Sequence, residues 1–460
     1  MAKDTSIIIS SSDFMKGVQP AYFGMQEIRG LNVTDKEGVM TVNTAPAKAS
    51  ASNVTDLIID LTILGTVVLG VSYSVVYKGV GAGGGTWSVL TGGTGGILRG
   101  VDSWKGFFFT FLNTDIDVYT SAPLVSQLSF ETLDASTSHP SITCQDGLLY
   151  IGNGYKIASL QEVGTFDPTN GATYSWSNNA LDIPDNHIIT SLTELGDYLI
   201  IGTDLGYIYM WDRISPSFNS LLIVEEGEKI NSMITHNNLI YIQAGNKMSI
   251  YISNGTSVEL FYQLPETLIE GSIALDACSN MIVKDRKILI GYGGISRVSP
   301  AGLYSIDLKS KVVAMENLIS TENDGTTNGA QIPALLNTFK DSPSLIYSWR
   351  DESSYGVDKD TGNKYLGDEA YFISQFYRLS TDLQPKTFQR LEVFLSKDID
   401  GVDSVKVYYR KTKNGAWVFI NTFDTENKNS FQTPFTATAR NIQFKVILNR
   451  NVEFLELRAF

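Results

Sequence analysis

Short apolar runs that end on a small or polar residue recur along this chain at a spacing that few folds would impose. They are GTVVLG ending at Gly70, GFFFT at Thr110, GLLYIG at Gly152, DYLIIG at Gly202, NLIYIQ at Gln243, KILIG at Gly291 and SLIYS at Ser348. The successive intervals are 40, 42, 50, 41, 48 and 57 residues. A period of this length, with four short strands per unit, is the signature of propeller blades. A lone four-stranded sheet cannot bury both faces, whereas a ring of such sheets buries each against its neighbours. Within the fourth unit the expected order from the axis outward is IITSLTEL, DYLIIGT, YIYMWD and SLLIVEE.

Composition agrees with an all-β chain. Of 460 residues, 22 are Tyr, 22 Phe and 40 Gly, and no long Ala, Glu, Lys and Leu run has helical spacing. Residues 57–77, LIIDLTILGTVVLGVSYSVVY, are long enough to span a bilayer. Asp60, the glycines and the β-branched residues within them instead predict two or three core strands and no membrane-spanning segment.

Three regions are expected. Residues 1–50 form an N-terminal segment whose strand VMTVN closes the ring by pairing with the last blade. Residues 51–378 form an irregular β-propeller of about seven blades. Residues 379–460 form a small C-terminal β-sandwich built from runs such as LEVFLS, VKVYYRKT, IQFKVILN and EFLELRAF. Charge changes sign at the second boundary. Residues 379–460 hold 12 Lys and Arg against 9 Asp and Glu, a net +3, which leaves −17 of the total −14 on residues 1–378. Both the loss of period and the sign change predict a separate C-terminal module, so that residues 1–378 alone would stay soluble.

The net charge argues against a dedicated nucleic-acid binder, which needs a basic surface. Cys144 and Cys278 are too few for a disulfide framework and are expected as buried thiols. The opening MAKDTSIIISSSDF has an apolar core of three Ile, too short for a secretion signal, so synthesis in a reducing cytosol is expected.

Chemistry is sought and not found. His139, His187 and His236 fall at unrelated offsets and are expected as surface or turn residues, with no metal-ligand spacing. Neither a phosphate-binding loop nor a dinucleotide fingerprint is present. The acidic stretches 357–369 and 396–404 lack the alternate ligand positions of a calcium loop and read as solvated turns. No catalytic, cofactor-binding or metal-binding residue is assigned, and no cofactor and no enzymatic activity are expected.

Three short resemblances remain. GAGGGTWSVL, around Trp87, resembles the end of a sialidase Asp-box without the Asp, and the MWD at 210–212 resembles a WD-repeat dipeptide that occurs once. The head GLNVTDKEGVMTVNTAPAK, the irregular propeller and the closing RNIQFKVILNRNVEFLELRAF together resemble virion proteins of tailed bacteriophages, of the propeller-bearing tail hub or nozzle (tail tubular) kind. That resemblance implies a structural role in a virion tail. It also implies copies of the chain in a ring, contacts with other tail or connector proteins, and DNA passing without tight binding. The rival expectation is a carbohydrate-binding or glycan-cleaving propeller.

Overall fold

A computed structural model describes residues 6–10, 13, 25–33, 39–48, 54–80, 86–90, 96–122, 125–224, 227–245, 249–263, 278–284, 286–293, 302–319, 331–338, 345–351, 354–365, 370–378 and 385–460. Among them strands dominate, and no helix is long and apolar enough to cross a membrane.

The strands group into four-stranded antiparallel units in chain order. Sheet I holds Asp60–Leu64, Val67–Val71, Val76–Val80 and Thr86–Val89. Sheet II holds Leu98–Trp104, Phe107–Leu112, Asp115–Thr120 and Val125–Thr132. Sheet III holds Ser141–Thr143, Leu149–Asn153, Lys156–Glu162 and Tyr174–Asp182. Sheet IV holds Ile189–Leu195, Tyr198–Thr203, Tyr207–Trp211 and Ser220–Ile223. Sheet V holds Ile230–His236, Leu239–Ala244, Ser249–Ser253 and Val258–Gln263. Sheet VI holds Cys278–Lys284, Lys287–Tyr292, Gly302–Asp307 and Val313–Leu318. Sheet VII holds Leu335–Asn337, Leu345–Asp351 and Ser354–Lys364, and takes its fourth strand from Thr44–Lys48. The first strand of each unit lies beside the first strand of the next, and Leu335–Asn337 lies beside Asp60–Leu64. The arrangement is propeller-like.

Each recurrent apolar run forms the second strand of its unit, the position buried on both faces. In sheet IV, Leu199 and Ile201 pack towards sheet III with Tyr150 and Ile157, while Ile200 packs towards sheet V with Ile240 and Ile242. That two-sided burial is why the run reads as continuous apolar and not alternating. The glycine that ends it also has a steric cause. A Cβ on Gly202 would meet Ile230 Cγ2 at 2.9 Å, and one on Gly152 would meet Ile189 Cγ2 at 2.8 Å. In both cases the isoleucine opens the next sheet, so the missing side chain lets adjacent sheets approach.

The ends of the chain fold together. Leu31–Asn32 pairs with Met40–Val42, and Met40–Val42 and Ile7–Ile9 both pair with Glu453–Ala459. Glu453–Ala459 pairs in turn with Lys386–Leu395, which pairs with Ser430–Ala439. The facing sheet runs from Met25–Arg29 through Tyr371–Ser374 and Asn441–Asn449 to Ser404–Arg410 and Val418–Phe423. It is also joined to sheet VI, by a parallel bridge from Arg29 to Met315.

Two expectations are corrected here. The strand that completes sheet VII is Thr44–Lys48, while VMTVN pairs with Glu453–Ala459 instead. Residues 379–460 do not stand apart. One core holds Ile7, Met25 and Ile28, Ile288 and Ile290 of sheet VI, and Phe388, Val446, Phe454 and Leu457. Local alternation shows that a segment is a strand but not where its partner lies, and here the partners are hundreds of residues away.

Candidate functional site

The first strands of the sheets enclose an axial cavity of about 400 Å³. Part of its polar lining comes from a recurrent irregularity in those strands. Each of the first strands of sheets II, IV and V carries a bulge, between Leu98 and Gly100, Ile189 and Ser191, and Ile230 and Ser232. The extra residues are Arg99, Thr190 and Asn231, and all three line the cavity. A comparable shift in sheet VI, between Cys278 and Met281, presents Asn280 there. A bulge re-aims one side chain out of the alternating pattern, and here it re-aims polar ones at the axis.

Thr190 and Asn280, together with other polar groups in and beside the first strands, bond one sheet to the next. Asp60 Oδ2 accepts from the Val101 amide at 2.9 Å, joining sheets I and II, and Asp102 Oδ2 accepts from Ser141 Oγ at 2.9 Å, joining II and III. Between III and IV the Gln145 amide donates to Glu194 at 3.0 Å. Thr190 Oγ1 donates to the Ile230 carbonyl at 2.6 Å across IV and V, and the Met281 amide donates to Ser232 Oγ at 2.8 Å across V and VI. Asn280 exchanges two bonds with the Leu335 backbone, at 2.9 and 2.7 Å, across VI and VII. Ser348 Oγ closes VII to I by donating to the Ile58 carbonyl at 2.7 Å.

Two carboxylates in this hoop are electrostatically perturbed. Burial pushes the Asp60 carboxyl up to about 7, against the backbone amides of Val101 and Leu61, with Asp102 repelling it in the same direction. Burial also raises Asp102, opposed by the Ser103 amide and the Ser141 hydroxyl. Both side chains sit among many protein atoms yet touch the cavity, so water there softens the effect.

The folded chain therefore holds the Asp60 proton more tightly than the unfolded chain does. Its contribution to stability is complete below the ordinary value of 3.8 and is lost as pH rises through about 7. Replacing Asp60 with Asn is expected to flatten the decline in stability between about pH 4 and about pH 8 by roughly 2 kcal/mol. Denaturant midpoints of both proteins across that range check it, and parallel pH profiles would refute it.

Two of the three histidines, His139 and His187, depart from the surface or turn placement expected. His139 is buried and lines the axial cavity, with Nδ1 at 2.8 Å from the Gly152 carbonyl and Nε2 at 3.3 Å from the Asn113 carbonyl. Burial lowers its basicity, with the two carbonyl contacts opposing. His187 is also buried, bonded through Nδ1 to Tyr209 at 2.9 Å, and it lines a second hollow of about 360 Å³ with Asn113, Tyr155 and Asp185. Both histidines fall in segments between one sheet and the next, and local sequence gives no measure of how deeply such segments pack. His236 ends the first strand of sheet V.

Cys144 is a buried free thiol, pushed up to about 12 by burial. The side chain of Cys278 lies outside the described residues. Of the acidic stretch 357–369, residues 357–364 are strand and not turn, with Asp358 and Lys359 paired on both sides. Residues 366–369 lie outside the described residues. In 396–404, Asp403 is buried, with Oδ1 at 3.3 Å from the Asn451 amide. Among the described residues, no group of three His, Cys, Asp or Glu is placed to hold a metal ion.

No protein-family model matches the chain. No curated protein matches it either. Among solved structures, it is similar to the computationally designed Ika8 protein, with 11% identity and a TM-score of 0.43 over 68% of this chain and 99% of that one. It is also similar to a chain of a mitotic checkpoint complex, with 14% identity and a TM-score of 0.47 over 69% of this chain and 95% of that one.

Proposed function

We propose that this chain is a structural component of a bacteriophage tail, of the hub or nozzle kind. In this reading sheets I to VII are seven blades of one closed ring, and the described strands between residues 7 and 42 and between 371 and 459 jointly form a β-sandwich attached to it. The observation that carries the proposal is the meeting of the two chain ends. The head and closing segments on which the resemblance to tail proteins rests pair directly, Met40 with Phe454 and Thr41 with Glu453.

The hoop around the axis supports a scaffold and not a catalyst. Asp60, Asp102, Thr190 and Asn280 are committed to holding neighbouring sheets, and such commitments favour rigidity over proton transfer. A cavity of about 400 Å³ is far too small for duplex DNA, so DNA would pass through a ring of copies and not through one propeller. An acidic wall in such a ring repels phosphate and prevents sticking.

Mass spectrometry of purified phage particles encoding this chain tests the proposal, with duplex binding measured in parallel. Peptides of the chain at structural abundance and negligible DNA affinity at physiological salt are expected. Absence from particles, or tight DNA binding, would overturn it. The second reading is a glycan binder, favoured by the hydroxyl- and carboxylate-lined axial cavity. Saturable binding or cleavage of a glycan, lost on Asp60→Asn, would transfer the weight to it.

A further inference from the structure

We infer that the open edge strand of the sandwich, Val418–Phe423, docks antiparallel against the same strand of a second copy of this chain, the two related by a two-fold axis. The inference concerns a surface outside the axial site and holds whether or not the chain belongs to a virion. Val418–Phe423 pairs on one side with Ser404–Arg410 and ends its sheet, and no described strand covers its other side. Exposed edges are normally blunted by charge or proline. This one carries neither, since Asn414 to Phe423 is uncharged and proline-free.

The side chains along it are those of a contact surface. Val418 is 47% exposed, Phe419 52% and Val402, in the turn leading into the adjacent strand, 59%. Phe419 meets Tyr408 edge to face at 5.3 Å, and the Arg410 guanidinium lies 4.5 Å from the Trp417 ring. Aromatic and arginine side chains of this kind dominate the energetics of protein interfaces. A bulge at Ile420 divides the strand, so backbone pairing is short and side chains supply much of the contact.

Charge complementarity selects the occupant. Arg410, Lys411 and Lys413 precede the strand, and Asp424 and Glu426 follow it. Lys411, Lys413, Asp424 and Glu426 are all exposed. Beyond them the chain turns back onto Ile399 through Asn427 and Lys428. Antiparallel pairing of two copies sets the start of each strand beside the end of the other, so each basic turn faces an acidic one. A parallel arrangement would oppose like charges at both ends. One strand per copy makes a contact below the usual size of a stable interface, so the dimer is concentration-dependent and weakened by salt.

Sedimentation velocity on the full chain, over a wide concentration range at low and high salt, provides the test. The unmodified protein is expected to show a reversible monomer–dimer equilibrium that shifts to monomer in high salt. Phe419→Asp, and separately Lys411→Glu with Lys413→Glu, should each weaken dimerisation by about tenfold or more. Adding Asp424→Lys and Glu426→Lys to the second variant re-creates the complementarity with signs exchanged and should restore the dimer. These residues are exposed, so unchanged melting curves will show that each variant folds. A strictly monomeric parent, a dimer indifferent to Phe419→Asp, or failure of the exchanged charges to restore association would each overturn the inference.

Discussion

Replacing Ile201 with Asp is expected to lower stability by about 3–5 kcal/mol, a large share of what a folded protein ordinarily holds. Ile201 is completely buried and lies between its cross-strand neighbours Leu192 and Tyr209. Its side chain belongs to the apolar cluster that joins sheets III and IV. Among the described residues of that cluster a carboxylate meets no cation. The Arg213 guanidinium nearby in the sequence is already bonded to Glu194 and lies 3.5 Å from Asp146. The buried charge is therefore unpaired, and the protein must either protonate it or open the sheet interface. Urea denaturation followed by tryptophan fluorescence measures the loss. An unchanged midpoint would mean that the register of sheet IV differs from the one described.

Cutting the chain after residue 378 is expected to leave a fragment that aggregates or stays unfolded. The excised strands are the pairing partners of Ile7–Ile9, Met40–Val42 and Tyr371–Ser374. Their loss would uncover Ile7, Met25, Ile28, Leu31 and the sheet VI residues Ile288 and Ile290, all of which share a core with Phe388, Val446, Phe454 and Leu457. It would also free strand edges, the template on which aggregation proceeds. This reverses the outcome expected from charge and period, which placed an independent module at that boundary. Soluble expression of residues 1–378 with a cooperative melting transition would restore the earlier expectation.

Repetition along the chain was legible because two physical constraints act on each copy. A strand buried on both faces must be apolar throughout, as at Leu199, Ile200 and Ile201, and the approach of the next sheet demands a glycine at Gly202. Fourfold strand order within sheet IV followed from alternation and turns. The hoop around the axis was missed, although it left a trace. A polar or charged residue, Arg99, Thr190 or Asn231, follows the first apolar residue of the first strands of sheets II, IV and V, at the point where each bulge breaks alternation. Aligning units on those residues would have exposed it. The fate of the N-terminal segment was not legible. VMTVN and TAPAK both suit an outer strand, and the choice between them is made by partners more than 300 residues away, Phe454 for Met40 and Asp358 for Lys48.

That exchange of strands across the length of the chain has a temporal consequence. During synthesis residues 40–48 leave the ribosome well before their partners, so Thr44–Lys48 must wait for Ser354–Lys364, and Met40–Val42 for Glu453–Ala459. Residues 40–48 are thus satisfied late, while sheets I to V pair locally as they emerge. Closing so long a loop costs entropy before any contact repays it, which sets a slow final step. A nascent chain that stalls short of residue 453 leaves Met40–Val42 unpaired, whereas one that has emerged past Ala459 covers it. The fold carries its own record of whether translation ran far enough.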